Sequence, residues 1–459
     1  MSRSACTRRG RRADRAPPNN AMGRLLAILT FAVATAAGAG GFRSFEGHGG
    51  PVMGLAVSHD GSRLLSASFD YSVGLWPLAG DGAPRWLEGH NAAVNAVAFL
   101  GGDRAVSAGD DFAVILWDLT RGTPIRRLEG HRGKVMAARP SPDGTTIASA
   151  SWDGTIRLWE VASGAELATL SARQGNVNDL VWAAGGARLY SAGYDGTVIE
   201  WDMAARAPLR RVASHGFGVN VLAIDEAAGW LAYGALDGGT RVIDLATGET
   251  LADLTAGRRP ILALARSPDG RRLAVGDGEG YIMVVETGDW SIDKDFRAAV
   301  NGPVWALAFT GDGSGVIAGG IADQAYLWPL DGADSQPQMA ELRRKFHVDP
   351  GTVSNGERQF LRKCSVCHTL GPDGERRAGP SLYGLFGRQA GTLAGYLYSP
   401  ALQQSDIVWS EETIDKLFDL GPDHVTPGSK MPMQRIAAPE DRADLIAFLR
   451  RETAASGNE

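Results

Sequence analysis

The chain has very few cysteines. Only Cys6, Cys364 and Cys367 occur among 459 residues, so disulfide bonds cannot be what stabilises the fold. Charge is also nearly balanced, with a formal net charge of −6, and nothing in it indicates a nucleic-acid partner. Long hydrophobic runs are missing, because the apolar stretch Leu25–Ala37 is too short for a comfortable membrane span. We therefore expect no stable membrane span.

The N-terminus has the pattern of an export signal. A basic region precedes the apolar stretch, and Ala37-Gly38-Ala39 matches the small-x-small cleavage pattern. The basic residues are Arg3, Arg8, Arg9, Arg11, Arg12, Arg15 and Arg24. We interpret residues 1–39 as a signal peptide, with Met22 as an alternative start. An uncleaved anchor and an apolar linker without a targeting role are the alternatives.

Glycine and tryptophan are abundant, at 60 and 12 residues, and the tryptophans recur at regular intervals. A repeat of 41–43 residues ends at Trp76, Trp117, Trp159, Trp201, Ile243, Val285 and Trp328. Gly-His dipeptides open the units at Gly47-His48, Gly89-His90 and Gly130-His131, with Ser214-His215 as a degraded copy. Alternating segments such as Ile156–Trp159, preceded by an Asp-Gly turn, predict short antiparallel strands.

This period and these dipeptides resemble the WD-repeat family. The resemblance implies an all-β, seven-bladed propeller over residues 42–330, closed by its N-terminal strand and used for docking proteins. It also implies that each blade joins a histidine, a serine, a turn aspartate and a tryptophan by hydrogen bonds. The turn aspartates are Asp70, Asp111, Asp153, Asp195 and Asp237. Repeats five to seven are degenerate. A metal site built from the four histidines is disfavoured, because they belong to different blades.

Residues 331–351 have the polar composition of a linker, and residues 352–455 form a second domain. Here Cys364-x-x-Cys367-His368 is the attachment signature for c-type haem. Two thiols three positions apart can form thioethers with one porphyrin, and the histidine then serves as an axial iron ligand. A zinc site would need further ligands, and a redox dithiol would need a βαβ setting. We therefore expect one covalently bound haem c with its iron.

The surroundings of this motif resemble class I c-type cytochromes, which are all-α. Gly356, Phe360 and Cys364 are spaced for one face of a helix, and residues 441–451 have an amphipathic pattern. In that family the two helices cross, with Gly356 against an aromatic residue such as Phe448.

The resemblance also assigns residues to the haem site. Met431, within Pro427-Gly428-Ser429-Lys430-Met431, would be the second axial ligand, and Met433 is the alternative. Pro380 would accept a hydrogen bond from His368. The residues expected around the haem are Pro380, Arg388, Tyr398, Trp409 and Ser429, of which Arg388, Tyr398 and Trp409 would bond its propionates.

Together these features predict an electron-transfer protein rather than an enzyme, and no catalytic residue is assigned. Covalent haem attachment takes place outside the cytoplasm, which agrees with the leader and indicates the bacterial periplasm. The partners would be periplasmic or membrane-bound electron donors and acceptors that dock on the propeller. Two alternatives remain. In one, the propeller hosts a substrate-oxidising or substrate-reducing site and the haem passes on its electrons. In the other, the propeller is a scaffold and the haem a sensor.

Overall fold

The computed structural model describes residues 43–330 and 353–454, except for 81, 172–173, 258–259, 300–301, 366, 373–376, 378, 397, 428, 430 and 432–433. The expected signal peptide (1–39), the linker (331–351) and Met433 lie outside the described residues.

The N-terminal part forms seven four-stranded antiparallel sheets. The first three contain β2–β5 (Val52–Val57, Arg63–Ser68, Ser72–Pro77, Arg85–Glu88), β6–β9 (Val94–Gly101, Arg104–Gly109, Val114–Asp118, Thr123–Leu128) and β10–β13 (Val135–Pro140, Thr146–Ser151, Ile156–Glu160, Glu166–Leu170). The next three contain β14–β17 (Val177–Trp182, Arg188–Gly193, Thr197–Asp202, Ala207–Ser214), β18–β21 (Val219–Asp225, Trp230–Ala235, Thr240–Asp244, Thr250–Asp253) and β22–β25 (Ile261–Arg266, Arg272–Asp277, Tyr281–Glu286, Ile292–Arg297). The seventh combines β26–β28 (Val304–Phe309, Gly315–Gly320, Gln324–Pro329) with β1 (Arg43–Glu46).

The seven-bladed propeller expected from the repeat is confirmed, and it closes through its first strand. β1 pairs with β28 from Arg43 opposite Leu327 to Glu46 opposite Gln324. The sequence repeat and the blade are offset by one strand, because the strand before each Gly-His dipeptide is the outer strand of the preceding sheet. Closing the ring in this way pairs an edge that would otherwise be exposed.

Each of the first three blades contains the same buried hydrogen-bond network. In blade one the indole of Trp76 donates to Ser66 at 2.7 Å, and Ser66 lies 2.6 Å from His48 Nε2. His48 Nδ1 lies 3.0 Å from the Asp70 carboxylate. The corresponding sets are Trp117, Ser107, His90 and Asp111 in blade two, and Trp159, Ser149, His131 and Asp153 in blade three. Each of these histidines is therefore hydrogen-bonded within one blade.

Blades four and five depart from this pattern. In blade four Gln174 replaces the histidine, and its Oε1 accepts from Ser191 at 2.6 Å while Trp201 donates to the same hydroxyl at 2.8 Å. In blade five His215 contacts Asp237 through Nε2, at 2.8 Å. The side-chain amide preserves the link between the serine and the loop before the blade.

The C-terminal part is helical, as expected. Its helices are α1 (Asn355–Lys363), α2 (Pro400–Gln403), α3 (Glu411–Leu420), α4 (Pro422–Val425) and α5 (Pro439–Glu452). Ser354 caps α1 by accepting from the Glu357 amide, and Ser410 forms a capping box with Thr413 at the start of α3. Among the described residues, no helix is long and apolar enough to cross a membrane.

Helices α1 and α5 cross closely, as the resemblance to class I c-type cytochromes implies. A Cβ atom on Gly356 would lie 2.1 Å from the carbonyl oxygen of Asp444, so only glycine fits at the crossing. One turn further along, the rings of Phe360 and Phe448 lie 5.5 Å apart. This crossing places the C-terminal end of α1, where Cys364 caps the helix, at the centre of the domain.

Candidate functional site

One cleft of about 1100 Å³ is bordered by every residue that the sequence assigns to the haem site. These residues are Cys364, Cys367, His368, Pro380, Arg388, Tyr398, Trp409, Ser429 and Met431. Its apolar lining includes Leu382, Leu385, Ile414, Leu417, Phe418 and Leu449. An apolar cleft with a few polar groups is typical of a cofactor site, and this lining fits a flat, largely apolar macrocycle.

The end of α1 brings the motif onto one wall of the cleft. The Cys364 amide donates to the Phe360 carbonyl at 2.8 Å. The chain then makes one more turn, in which the amides of Cys367 and His368 donate to the Cys364 carbonyl at 3.0 and 2.9 Å. The C-x-x-C-H spacing thus places both sulfur atoms and the imidazole at the same cleft.

The two thiols are held in their neutral form. Burial raises the pKa of Cys364 to about 12 and that of Cys367 to about 11. A redox dithiol must reach the thiolate, which burial disfavours here. A thioether has no proton to lose and suits this apolar wall. Within the described parts of the chain, no group of three or more metal-ligating side chains of the His, Cys, Asp and Glu types occurs.

His368 has a fixed tautomer. Its Nδ1 donates to the Pro380 carbonyl at 2.7 Å, which leaves Nε2 unprotonated with its lone pair available. Burial lowers the pKa of His368, and this also favours the neutral imidazole that a metal requires. A Cβ atom on Gly379 would lie 2.4 Å from the ring, so this loop closes tightly on the histidine. Such a bond orients a ligating imidazole and increases its basicity.

Met431 is far from α1 along the chain but borders the same cleft. It packs against the core cluster that contains Phe360, Cys364 and Phe418. A tight turn precedes it, in which the Ser429 amide donates to the Thr426 carbonyl at 3.0 Å and the two hydroxyls lie 3.1 Å apart. The structure thus brings His368 and Met431 to one cavity. Their role as axial ligands stays a prediction.

Arg388 makes contacts that the sequence did not indicate. Its two terminal nitrogens donate to the carbonyls of Tyr383 and Ser381, at 2.7 and 2.9 Å. It therefore also holds the loop that follows Pro380. Burial lowers the pKa of Arg388 and raises that of Tyr398, so the cleft offers both groups as desolvated hydrogen-bond partners. Bonding of these residues to propionates stays a prediction.

Several cleft residues were missed by sequence reasoning. Tyr396 and Gln434 border it, and the buried Gln434 Oε1 has no hydrogen-bond partner among the described residues. Tyr71 also borders the cleft, although it belongs to the first propeller blade. No local motif marks Tyr71, because it lies far from the cytochrome-like segment in sequence.

Comparison with known proteins agrees with both halves of the chain. A family model for the WD domain, G-beta repeat, matches residues 42–77, 84–118, 122–160 and 164–202. The Cytochrome c family model matches residues 353–452. Cytochrome c from Cannabis sativa and from Sesamum indicum are each 45% identical over 107 residues. Cytochrome c from Gossypium barbadense is 46% identical over the same length. Each match covers 23% of this chain and 94% of the relative.

Proposed function

Because the chain belongs to the cytochrome c family through its C-terminal domain, we propose that it is an exported electron carrier whose propeller docks the redox partner. The chain carries a covalently bound haem c and transfers electrons through it. The observation that carries the proposal is the single cleft that joins Cys364, Cys367, His368 and Met431. The leader and the covalent attachment both favour the periplasm as its compartment.

Different residues of the cleft would hold the haem in different ways. Cys364 and Cys367 would bind it covalently, while His368 and Met431 would occupy the two axial positions of the iron. The haem supplies reversible one-electron exchange, and histidine–methionine ligation raises its potential. Because His368 and Met431 would both ligate the iron, electrons would pass to partners without a substrate binding at the metal.

The end of the propeller that bears Tyr71 has an apolar surface suited to a protein partner. Six large hydrophobic side chains, 37–61% exposed, lie in loops at this end: Phe112, Trp152, Tyr194, Phe217, Leu236 and Ile321. The Trp152 ring is held in place, since Lys134 lies 5.4 Å from its centre and its indole donates to Asn178 at 3.1 Å. Exposed, ordered aromatic groups are enriched at protein interfaces.

Continuity with the haem cleft supports a redox protein as the partner on this surface. Tyr71 lies in the β3–β4 turn, and Trp152 and Tyr194 lie in the equivalent turns of blades three and four. Antiparallel topology places all of these turns at one end of the ring. A protein bound there would sit beside the haem, so we propose that the occupant is a redox protein that exposes an apolar surface around its own cofactor.

The docking role is tested by comparing two oxidants. Under this proposal, membranes from the organism that makes this protein would oxidise the ferrous form through docking, whereas ferricyanide needs no docking. We expect Trp152→Ser with Phe217→Ser to slow oxidation by membranes several-fold without affecting ferricyanide. Ile125 and Leu209, which are 46% and 50% exposed on outer strands, provide the matched control pair. Equal membrane rates for wild type and both pairs would contradict the proposal.

The enzyme alternative makes a different prediction for composition. A carrier contains one haem iron per chain and no second cofactor, which pyridine haemochrome assay and metal analysis of the purified protein measure. A second metal or chromophore in the propeller would overturn the carrier assignment in favour of a substrate-converting site.

A further inference from the structure

The turn that holds Tyr71 has an unusual residue at its tightest position. In blades three to six this position is Gly154, Gly196, Gly238 or Gly280, with φ between 81° and 95°. In blades one and two it is Tyr71 and Phe112, with φ of 71° and 63°. Residues with a side chain rarely adopt this left-handed region, and strained residues of this kind cluster at functional sites. Two aromatic side chains therefore occupy a position that is glycine in blades three to six.

The two aromatic residues differ in what surrounds them. Phe112 is 44% exposed, whereas Tyr71 is 8% exposed and borders the haem cleft together with Cys367 and Tyr396. Burial raises the pKa of Tyr71, and the neighbouring Cys367 and Tyr396 raise it further. Both residues have a strained backbone, but of the two only Tyr71 also contacts the other domain.

A second link joins the domains near the same cleft. The Arg377 side chain is 7% exposed, and its Nη1 lies 3.6 Å from the Asp323 carboxylate. The same nitrogen donates to the Gly49 carbonyl at 3.4 Å. Gly49 lies in the β1–β2 loop and Asp323 in the β27–β28 turn, both at the end of the propeller that bears Tyr71. A nearly buried guanidinium paired with a carboxylate is typical of a specific contact.

We propose that the propeller completes the haem site, with Tyr71 as a positioning residue that covers the Cys367 side of the cleft and Arg377 as the link that keeps it there. This inference rests on the proposed function. Exclusion of water disfavours the more highly charged ferric state, so the docked propeller raises the haem potential. It also shields this side of the haem from small reductants in solution.

The test uses the full-length haem protein and compares equivalent turns. Tyr71→Gly restores the residue found in blades three to six, so the turn should fold without strain. Phe112→Gly makes the same change in blade two and is the matched control. We expect Tyr71→Gly to lower the reduction potential and to speed reduction by ascorbate several-fold. Phe112→Gly should leave both at the wild-type value, and Tyr71→Phe, which keeps the ring, should remain close to wild type.

Breaking the second link should act in the same direction. Arg377→Gln removes the charge facing Asp323, and we expect a lower potential and a larger radius of gyration in small-angle X-ray scattering. Wild-type potential and ascorbate rate in Tyr71→Gly would overturn the inference while leaving the carrier function intact. A wild-type protein without covalent haem would instead overturn the proposed function itself.

Discussion

The propeller and the helical domain are stabilised in different ways. The propeller repeats one network of serine, histidine, aspartate and tryptophan in three consecutive blades, and its core clusters extend from each blade into the next. Removing one copy leaves the neighbours in place, as in other repeat architectures. The helical domain has a single core, grouped around Phe360 and Phe448, which borders a cleft of about 1100 Å³. Its stability therefore depends on what occupies that cleft.

The comparison predicts its largest effect for loss of the thioethers. Cys364→Ser with Cys367→Ser should abolish covalent haem and unfold the helical domain, because the apolar side chains that line the cleft would lose the group that they pack against. The propeller should keep its own melting transition. Haem staining after denaturing electrophoresis and far-ultraviolet circular dichroism measure the two outcomes.

Ser365 provides the control for this experiment. It lies between the two cysteines, but its hydroxyl donates to the Leu361 carbonyl at 2.8 Å. Ser365→Ala should therefore retain covalent haem and helical signal. Loss of the propeller transition in the double cysteine variant would show that the two regions do not fold independently.

A smaller effect is expected from loss of Met431, the predicted second axial ligand. Met431→Ala should remove the weak methionine-to-iron absorption in the far red. It should also lower the potential by on the order of 0.1 V, a part of the roughly 0.8 V that axial ligands span. The covalent haem should remain. Met433→Ala serves as the comparison, and a loss of the band in that variant alone would assign the ligand to Met433.

The contrast also explains what the sequence could predict. The Trp76–Trp328 repeat and the Cys364–His368 motif are local patterns. The propeller, the helical fold and the side of the cleft near α1 could therefore be predicted from these patterns and from the family resemblances that they carry. Gln174 was missed because an amide replaces the histidine that the pattern requires. The hydrogen-bond partners of Arg388 are backbone carbonyls. Every residue has such a carbonyl, so the residue types could not predict these contacts.

Tyr71 illustrates a further limit. Its contact with the cleft depends on how two separately folded regions meet, and side-chain periodicity within either region carries no information about that. A signal was nevertheless present, since Tyr71 and Phe112 follow the turn aspartate where blades three to six have glycine. A departure from the repeat's own pattern is thus a guide to sites that the repeat itself does not encode.

Within the propeller, the comparison predicts a moderate cost for damaging one network. Ser107→Ala leaves the Trp117 indole and His90 Nε2 without their shared partner in blade two. Losing buried hydrogen bonds in this way should reduce the free energy of unfolding by about 1–3 kcal/mol, measured by urea titration. Ser314→Ala removes an exposed turn hydroxyl and should cost much less. An equal loss in Ser107→Ala and Ser314→Ala would contradict a stabilising role for the network.

The smallest effect concerns acid. Burial alone would raise the pKa of Asp153, but bonds from Thr155, the Arg132 amide and His131 lower it from 3.8 to about 2. A lowered pKa in the folded state means that the carboxylate stabilises the propeller fully above pH 4. This contribution is lost as the pH falls towards 2, because the unfolded chain takes up the proton first.

Asp153→Asn isolates this contribution, because the amide cannot titrate. We expect the thermal midpoint of the propeller to fall less steeply between pH 4 and pH 2 in the variant than in wild type. Over this pH range the wild type should lose roughly 1 kcal/mol more free energy of unfolding than the variant. The effect is no larger, since the Asp153 carboxylate retains some contact with water and is partly screened. An identical slope in both proteins would mean that the network binds the carboxylate no better than the unfolded chain does. The repeated histidine would then act in the propeller through packing alone.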